Sequence, residues 1–411
     1  MHATRHVSMA RGAARREDAG RLERIPVTSE AFRAYAETFA PTDGDGPGGY
    51  VSPYDALRRL ADVDTLRQKG TFFTASQLAS ELWEPELADL PEGAVILDPA
   101  SGAGDLVMPV VEWAAHTDTA ISIRLNDVED VFLPIARSRL LHAAESVTVK
   151  TTCSDFLADT SFAEGVTHLA LNPPYFSLES ERAWGSGRVS AAAVFVEHAL
   201  RHMKRGSTLL AVLPDVLRSG SRYGKWRDFV ESTGTVGRVV PWGQFDSHTD
   251  IHVFLLTVHV GGTGPHVPWV RDDGARERLQ DHCEVRVGPV VPHRDAGEGP
   301  TVPYLTAKNL ATGKPERRRF AGRLERGPLV LVNRTSRPGD RPRLRARILS
   351  DTTPSAVENH LLVVKPLDGT LQGCETIVEL LGRESTWEFL DERIRCRHLT
   401  VSALKEIPWR T

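Results

Sequence analysis

The stretch Ala94–Val110, AVILDPASGAGDLVMPV, holds an apolar run that stops at Asp98, a turn of small residues, and a second apolar run. The pattern predicts a short buried strand, then a helix. The turn is built from Ala100, Ser101, Gly102, Ala103 and Gly104. Small residues between a strand and a helix let a ligand approach the backbone closely, at the sheet edge where open α/β folds bind cofactors. A dinucleotide-binding turn requires a third glycine, and Val107 stands in that place. A pyrophosphate-binding site is therefore disfavoured.

Working outward, short apolar segments recur as ISIRLND, VTVKTTC, THLALN, STLLAVLP, GRVVPW and IHVFLLTVHV, separated by longer pieces. One of these, VSAAAVFVEHALRHMKRG, sets Phe195 with Ala199, and Val196 with Leu200 and Met203, on one helical side before Gly206 closes it. Such alternation predicts an α/β domain with a mostly parallel sheet covered by helices on both faces.

Chemistry-bearing residues fall at the ends of these strands. Asp127 closes the second and is placed to accept from two ribose hydroxyls, with Glu129 and Asp130 as competitors. After the third come Asp155, a possible acceptor for an exocyclic amine, and Phe156, a cover for a purine face. After the fourth comes Asn172-Pro173-Pro174-Tyr175. Two prolines fix φ and remove two donors, so the strand must stop and the turn is rigid. That rigidity either only ends the strand or holds an amide and an aromatic ring at a fixed separation.

With 411 residues, 41% hydrophobic and 25% charged, the chain fits a soluble protein of two or three domains, without a membrane span. The amino terminus lacks an apolar core for secretion. Cys153, Cys283, Cys374 and Cys396 show neither zinc spacing nor a disulfide framework, which fits a reducing cytoplasm and no metal. Expected boundaries are a flexible tail over 1–50, a catalytic domain over 51–262, a Gly/Pro-rich linker over 263–300 and a last domain over 301–411. The net charge of −4 gives no sign of nucleic acid, yet from Lys314 to Arg347 arginines far outnumber acids. That run is either a phosphate-facing footprint or a solvated face.

Together these motifs resemble the S-adenosylmethionine-dependent amino-methyltransferases that modify adenine N6 in DNA, in the subgroup with catalytic motifs first and target recognition last. The matching segments are GTFFTASQLA (Gly70–Ala79), DPASGAGD (Asp98–Asp105), Asp127, SDF (Ser154–Phe156) and NPPY. One departure is Ala75, where the family usually has proline. The resemblance covers about Val51 to Val260. It continues loosely into VPYLTAKNL, VLVNRTSRPGDRPRLRARIL and RHLTVSALKEIPW, which look like the specificity domain of a type II modification enzyme.

The resemblance implies a Rossmann-like methyltransferase fold with a seven-stranded sheet and a C-terminal α+β DNA-recognition domain. It implies S-adenosylmethionine as cofactor, held by Thr71, Phe72, Thr74, Asp98, Ala100, Gly102, Gly104, Asp127, Asp155 and Phe156. It implies Asn172, Pro173, Pro174 and Tyr175 as catalytic residues, with Phe245 stacking on an extruded base. Arg317, Arg318, Arg319, Arg334 and Arg337 become candidates for contact with double-stranded DNA, and a separate restriction endonuclease is a possible partner. No convincing cleavage motif is present, so modification without cleavage is expected. A protein-glutamine or RNA methyltransferase, and a DNA-binding subunit without transfer activity, remain as alternatives.

Overall fold

The computed structural model describes residues 74–245, 251–271, 273–295 and 297–409. Thr71, Phe72, the expected tail and the expected start of the catalytic domain at Val51 lie outside the described residues. The chain divides into two compact units: residues up to Leu217 together with Arg222–Val267, and Arg218–Ser221 together with Pro268–Thr411.

The first unit is built on a seven-stranded sheet. Helix α1 (Ser76–Leu87) leads into β1 (Val95–Asp98), α2 (Met108–Thr117), β2 (Ile121–Asp127), α3 (Leu133–Ala143), β3 (Val147–Cys153) and β4 (His168–Leu171). A hairpin of β5 (Ser177–Arg182) and β6 (Gly185–Ser190) follows, then α4 (Ala191–His202) and β7 (Thr208–Pro214). Strands β8 (Gly234–Gln244) and β9 (His252–Val260) complete the sheet. Its order is β3-β2-β1-β4-β7-β9-β8, with β9 antiparallel to both neighbours and the other pairs parallel.

Counted by these seven strands alone the order is 3-2-1-4-5-7-6, the Rossmann-like sheet of the S-adenosylmethionine-dependent methyltransferases. The inner strands are apolar because both faces are covered: all of β4 is buried, as is β7 from Thr208 to Leu213. Each Leu or Val fully removed from water there contributes roughly 1.5–3 kcal/mol. The strand order reverses between β1 and β4, where the crevice of such a sheet opens. Ile96 pairs with His168 and Leu97 with Leu169, so Asp98 and Asn172 leave the sheet at the same edge, on adjacent strands.

The second unit is α+β. An antiparallel sheet joins β10 (Cys283–Val287), β16 (Leu361–Pro366), β13 (Leu329–Asn333) and β14 (Ala346–Leu349) in that order. A smaller sheet runs β12 (Glu316–Arg319), β11 (Thr301–Leu305), β15 (Ala356–Val357). Its helices include Leu371–Gly382 and Glu384–Arg393, whose Ile377, Leu381 and Leu390 share a core with Val330, Val332, Leu362 and Val364. The stretch 263–300, expected as a linker, is partly structural here. Cys283–Val287 pairs along its whole length with β16, and Cys283 and Val285 are buried in that core.

Candidate active site

The turn after β1 uses its two glycines for different reasons. Gly102 has φ +48°, and a side chain there would meet nothing within 4 Å, so this backbone faces open space. Gly104 has φ +82°, and an added Cβ would lie 2.9 Å from Leu140 and 3.2 Å from Ala136, so α3 packs where a side chain would be. Arg139, itself on α3 and buried, braces the turn by donating to the Ala103 carbonyl and, at 2.8 Å, to Asp105 Oδ1. From the other side, the Trp83 indole N–H on α1 donates to the Leu106 carbonyl at 2.8 Å.

Three strand ends are then tied together. Asp127 accepts the Gly102 N–H on Oδ2 at 2.8 Å and the Glu129 N–H on Oδ1 at 2.9 Å. Asp127 thus bonds the glycine turn directly. Asn126 beside it is buried and uses its whole amide: Nδ2 donates to the carbonyls of Pro99 and Ser154, and Oδ1 accepts from the Thr152 and Ser154 hydroxyls. A buried amide with all four bonds made rigidifies what it joins. Sequence reasoning missed Asn126 and Arg139; the available signal was a polar residue at a buried strand end and an arginine on an apolar helix face.

Asp98 is fully buried, and burial above all pushes its carboxyl up to about 8, with the nearby charges of Asp127 and Asp105 adding to it. Its Oδ1 accepts the Ala100 N–H at 3.2 Å, while Oδ2 has no partner among the described residues. Burial likewise raises the Asp127 carboxyl, against the lowering effect of its backbone donors. Val128, next to Asp127, leaves 70% of an apolar side chain exposed at the mouth of the crevice.

After β4, Asn172 is buried with both ends of its amide engaged. Nδ2 donates to Thr74 Oγ1 at 2.8 Å, and Oδ1 accepts from the Tyr175 hydroxyl at 2.7 Å. That hydroxyl also lies 3.1 Å from the Val212 carbonyl on β7. Pro173 is buried and Pro174 half-buried. Tyr175 meets Phe245 edge-on, with ring centres 5.6 Å apart at 84°. Phe245 is itself packed in the core of the unit.

The expected residues after β3 behave differently. Asp155 is exposed and accepts the Leu157 N–H at 3.0 Å, a local turn. Phe156 is buried, packed against Phe162, Phe195 and His198 with ring centres 4.6, 5.6 and 4.9 Å away. Its faces serve the core, so the structure brings together Thr74, Asp98, Ala100, Gly102, Asp127, Asn172 and Tyr175 but leaves Phe156 out.

In the second unit the candidate arginines divide. Arg317 and Arg319 are exposed on edge strand β12, where their guanidinium groups donate to the carbonyls of Thr301 and Gly299 at 3.2 and 3.1 Å. Arg318 faces the other way, paired with Asp295 at 2.7 Å and lying 5.3 Å from the centre of the Tyr304 ring. Arg334 is half-buried and donates to the Asn359 carbonyl at 3.0 Å. Arg337 is exposed, its backbone N–H bonded to Asp340. Arg343, in the same basic run, is fully buried, paired with Asp391 and donating to the Ile394 carbonyl at 2.6 Å.

No family model matches this chain, and no curated protein matches it. Solved structures do resemble it. A candidate class I S-adenosylmethionine-dependent methyltransferase from Listeria monocytogenes is 17% identical, covering 64% of this chain and 90% of that one at a TM-score of 0.43. The type I restriction-modification methyltransferase subunit from Streptococcus thermophilus is 17% identical, covering 58% of this chain and 51% of that one at 0.38, so this chain matches about half of that subunit's length. An RNA methyltransferase from Salinibacter ruber, solved with S-adenosyl-L-homocysteine, is 15% identical, covering 48% of this chain and 98% of that one at 0.29. At these scores the likenesses carry no argument about substrate, and the fold rests on the strand order. Among the described residues no helix is long and apolar enough to cross a membrane.

Proposed function

We propose that this chain binds S-adenosylmethionine in the crevice above β1 and β2 and methylates adenine N6 in duplex DNA, as the modification partner of a restriction or phage-defence system. The observation that carries the reading is the placement of a buried, doubly bonded Asn172 amide on the strand next to an acid with an open acceptor, Asp98 Oδ2.

The residues fit the cofactor. Asp98 keeps an unpartnered oxygen for a donor, and Gly102 presents bare backbone. Asp127 has lone pairs beyond its two backbone bonds for ribose hydroxyls, and Val128 offers apolar surface for a purine. Bound there, the cofactor supplies an activated methyl group.

What the protein adds is the treatment of the acceptor. An exocyclic amine conjugated into a purine ring is a poor nucleophile. Accepting its hydrogens on Asn172 Oδ1 and the Pro173 carbonyl draws the nitrogen toward tetrahedral geometry and frees its lone pair. Preorganised hydrogen-bonding groups of this kind are worth about 3 kcal/mol each. Adenine in a duplex must be flipped out to reach them, and Tyr175 is the ring beside the site to hold it. Arg317 and Arg319 supply phosphate contacts from the second unit.

The test is incubation with labelled S-adenosylmethionine and unmethylated bacterial DNA, followed by nucleoside mass spectrometry. N6-methyladenine is expected; methylated cytosine in its place, or label passed to added RNA or protein and not to DNA, would overturn the choice of acceptor. Asn172→Ala should keep cofactor affinity within about twofold while turnover falls by roughly 100- to 1,000-fold.

A further inference from the structure

The amide of Asn172 works only if its oxygen, not its nitrogen, meets the substrate, and the two ends differ by a half-turn of one torsion. Something must choose between them. Solvent does not, because Asn172 is only 8% exposed and Thr74 only 4%. The choice falls to the two hydroxyls that touch the amide. Thr74 Oγ1 accepts from Nδ2 at 2.8 Å across 98 residues of sequence, and in that arrangement the oxygen end lies on the opposite side. There Oδ1 meets the Tyr175 hydroxyl, which has the Val212 carbonyl as a second acceptor at 3.1 Å. Oδ1 can therefore be given up to another donor without leaving the tyrosine proton unpaired in a buried place.

We infer that Thr74 is a positioning residue: it acts through Asn172, holding the amide nitrogen so that the oxygen is presented to the substrate amine. This rests on the methyl-transfer reading of the site, but it departs from the expectation that Thr74 belongs to the cofactor. The local fold supports the assignment. Thr74 stands two residues before α1, next to its N-cap Ala75, and α1 is anchored beside the glycine turn by Trp83, so the hydroxyl sits at the start of a packed element.

Two substitutions separate the roles. Thr74→Val keeps the shape of the side chain and removes the acceptor; Thr74→Ser keeps the hydroxyl and removes a methyl. Cofactor affinity is measured by calorimetry, turnover and KM with unmethylated DNA, and folding by the thermal midpoint. Thr74→Val is expected to lower kcat on the order of 10- to 100-fold, as small misplacements of a reacting group do. Its KM for DNA and its affinity for S-adenosylmethionine should stay within about twofold of wild type, and Thr74→Ser should recover most of the turnover. Wild-type turnover in Thr74→Val would overturn the inference. So would a loss confined to cofactor affinity, or a folded Thr74→Ser as impaired as the valine variant. If Thr74→Val does not fold, the serine variant still decides, because a positioning hydroxyl predicts near-normal kcat. If the wild-type protein itself transfers no methyl group to DNA, the proposed function falls, and this inference with it.

Discussion

At the turn after β1, side chains from two strands and two helices converge on one short stretch of backbone, from Pro99 to Leu106. In the basic run of the second unit, neighbouring arginines diverge. Asp127 and Arg139 both reach the segment Gly102–Asp105, and Asn126 reaches Pro99. By contrast Arg317 and Arg319 face solvent while Arg318 between them turns to Asp295 and Tyr304. The cause is geometric. Parallel strands deliver all their carboxyl ends to one edge, so residues remote in sequence must meet there. A single strand sends successive side chains to opposite faces, so a charge run is split by the pleat itself. A cluster of charge in sequence is therefore weak evidence for a shared surface, whereas a set of strand-end residues is strong evidence for a shared site.

The sharpest way to break this contrast is at Arg343. It lies inside the basic run, yet it is fully buried, and burial pushes its guanidinium down to about 10. Truncating Arg343 leaves a cavity and takes the donor from the Ile394 carbonyl, while Asp391 keeps Arg341 at 3.1 Å, so the cost is that of emptying a buried site, about 2–5 kcal/mol. Arg343→Ala should destabilise the second unit by that amount in urea unfolding. A loss below about 1 kcal/mol would put Arg343 with the surface arginines instead.

Next in size is the buried acid of the first unit. The Asp98 carboxyl titrates near 8 in the folded protein and near 3.8 in the unfolded chain. Below the lower value both states hold the proton and burial costs no charge. As pH rises toward 8 the unfolded chain has lost its proton while the folded protein retains it, so stability falls through that window. Asn at this position cannot ionise. Asp98→Asn should therefore gain stability relative to wild type progressively as pH climbs from 4 to 8, and should bind S-adenosylmethionine more weakly. Parallel pH–stability curves for the two proteins would show that Asp98 is not the buried acid it is taken to be.

The same contrast explains what could be read in advance. All seven strands of the large sheet were legible because inner strands such as Thr208–Pro214 are apolar on both faces. The hairpin Ser177–Ser190 was not, because the burial along Ser177–Arg182 only alternates between half-buried and exposed, and Leu178 is the single apolar side chain of that strand. That Asp98, Gly102, Asp127 and Asn172 share one sheet edge was legible because each sits where a strand ends. Phe156 was assigned a ligand because it follows such an end, and its packing against Phe162 and Phe195 depends on tertiary contacts that no local pattern carries. Cys283–Val287 was lost in a linker because the proline and glycine around it marked a boundary, although its alternation already resembled a strand. Arg139 needed the register of α3 against the turn, 34 residues away from its partner Asp105.

The smallest effect on stability, and the one that tests the reading of the basic run, belongs to Arg317 and Arg319. Both are exposed, and among the described residues each guanidinium makes a single bond to a backbone carbonyl. Surface substitutions of this kind change stability by no more than about 0.5 kcal/mol. Charged side chains on an edge strand also have a second use, keeping that edge from pairing with other chains. The two uses predict different measurements. If the pair contacts phosphates, Arg317→Ala and Arg319→Ala should each weaken binding to DNA of any sequence and lower the salt dependence of that binding by about one unit of slope. If the pair only protects the edge, DNA affinity and its salt slope should be unchanged, and the double variant should self-associate at high concentration. Arg318→Ala is the internal control, since its charge is spent on Asp295. It should cost folding stability while leaving the salt slope where it was.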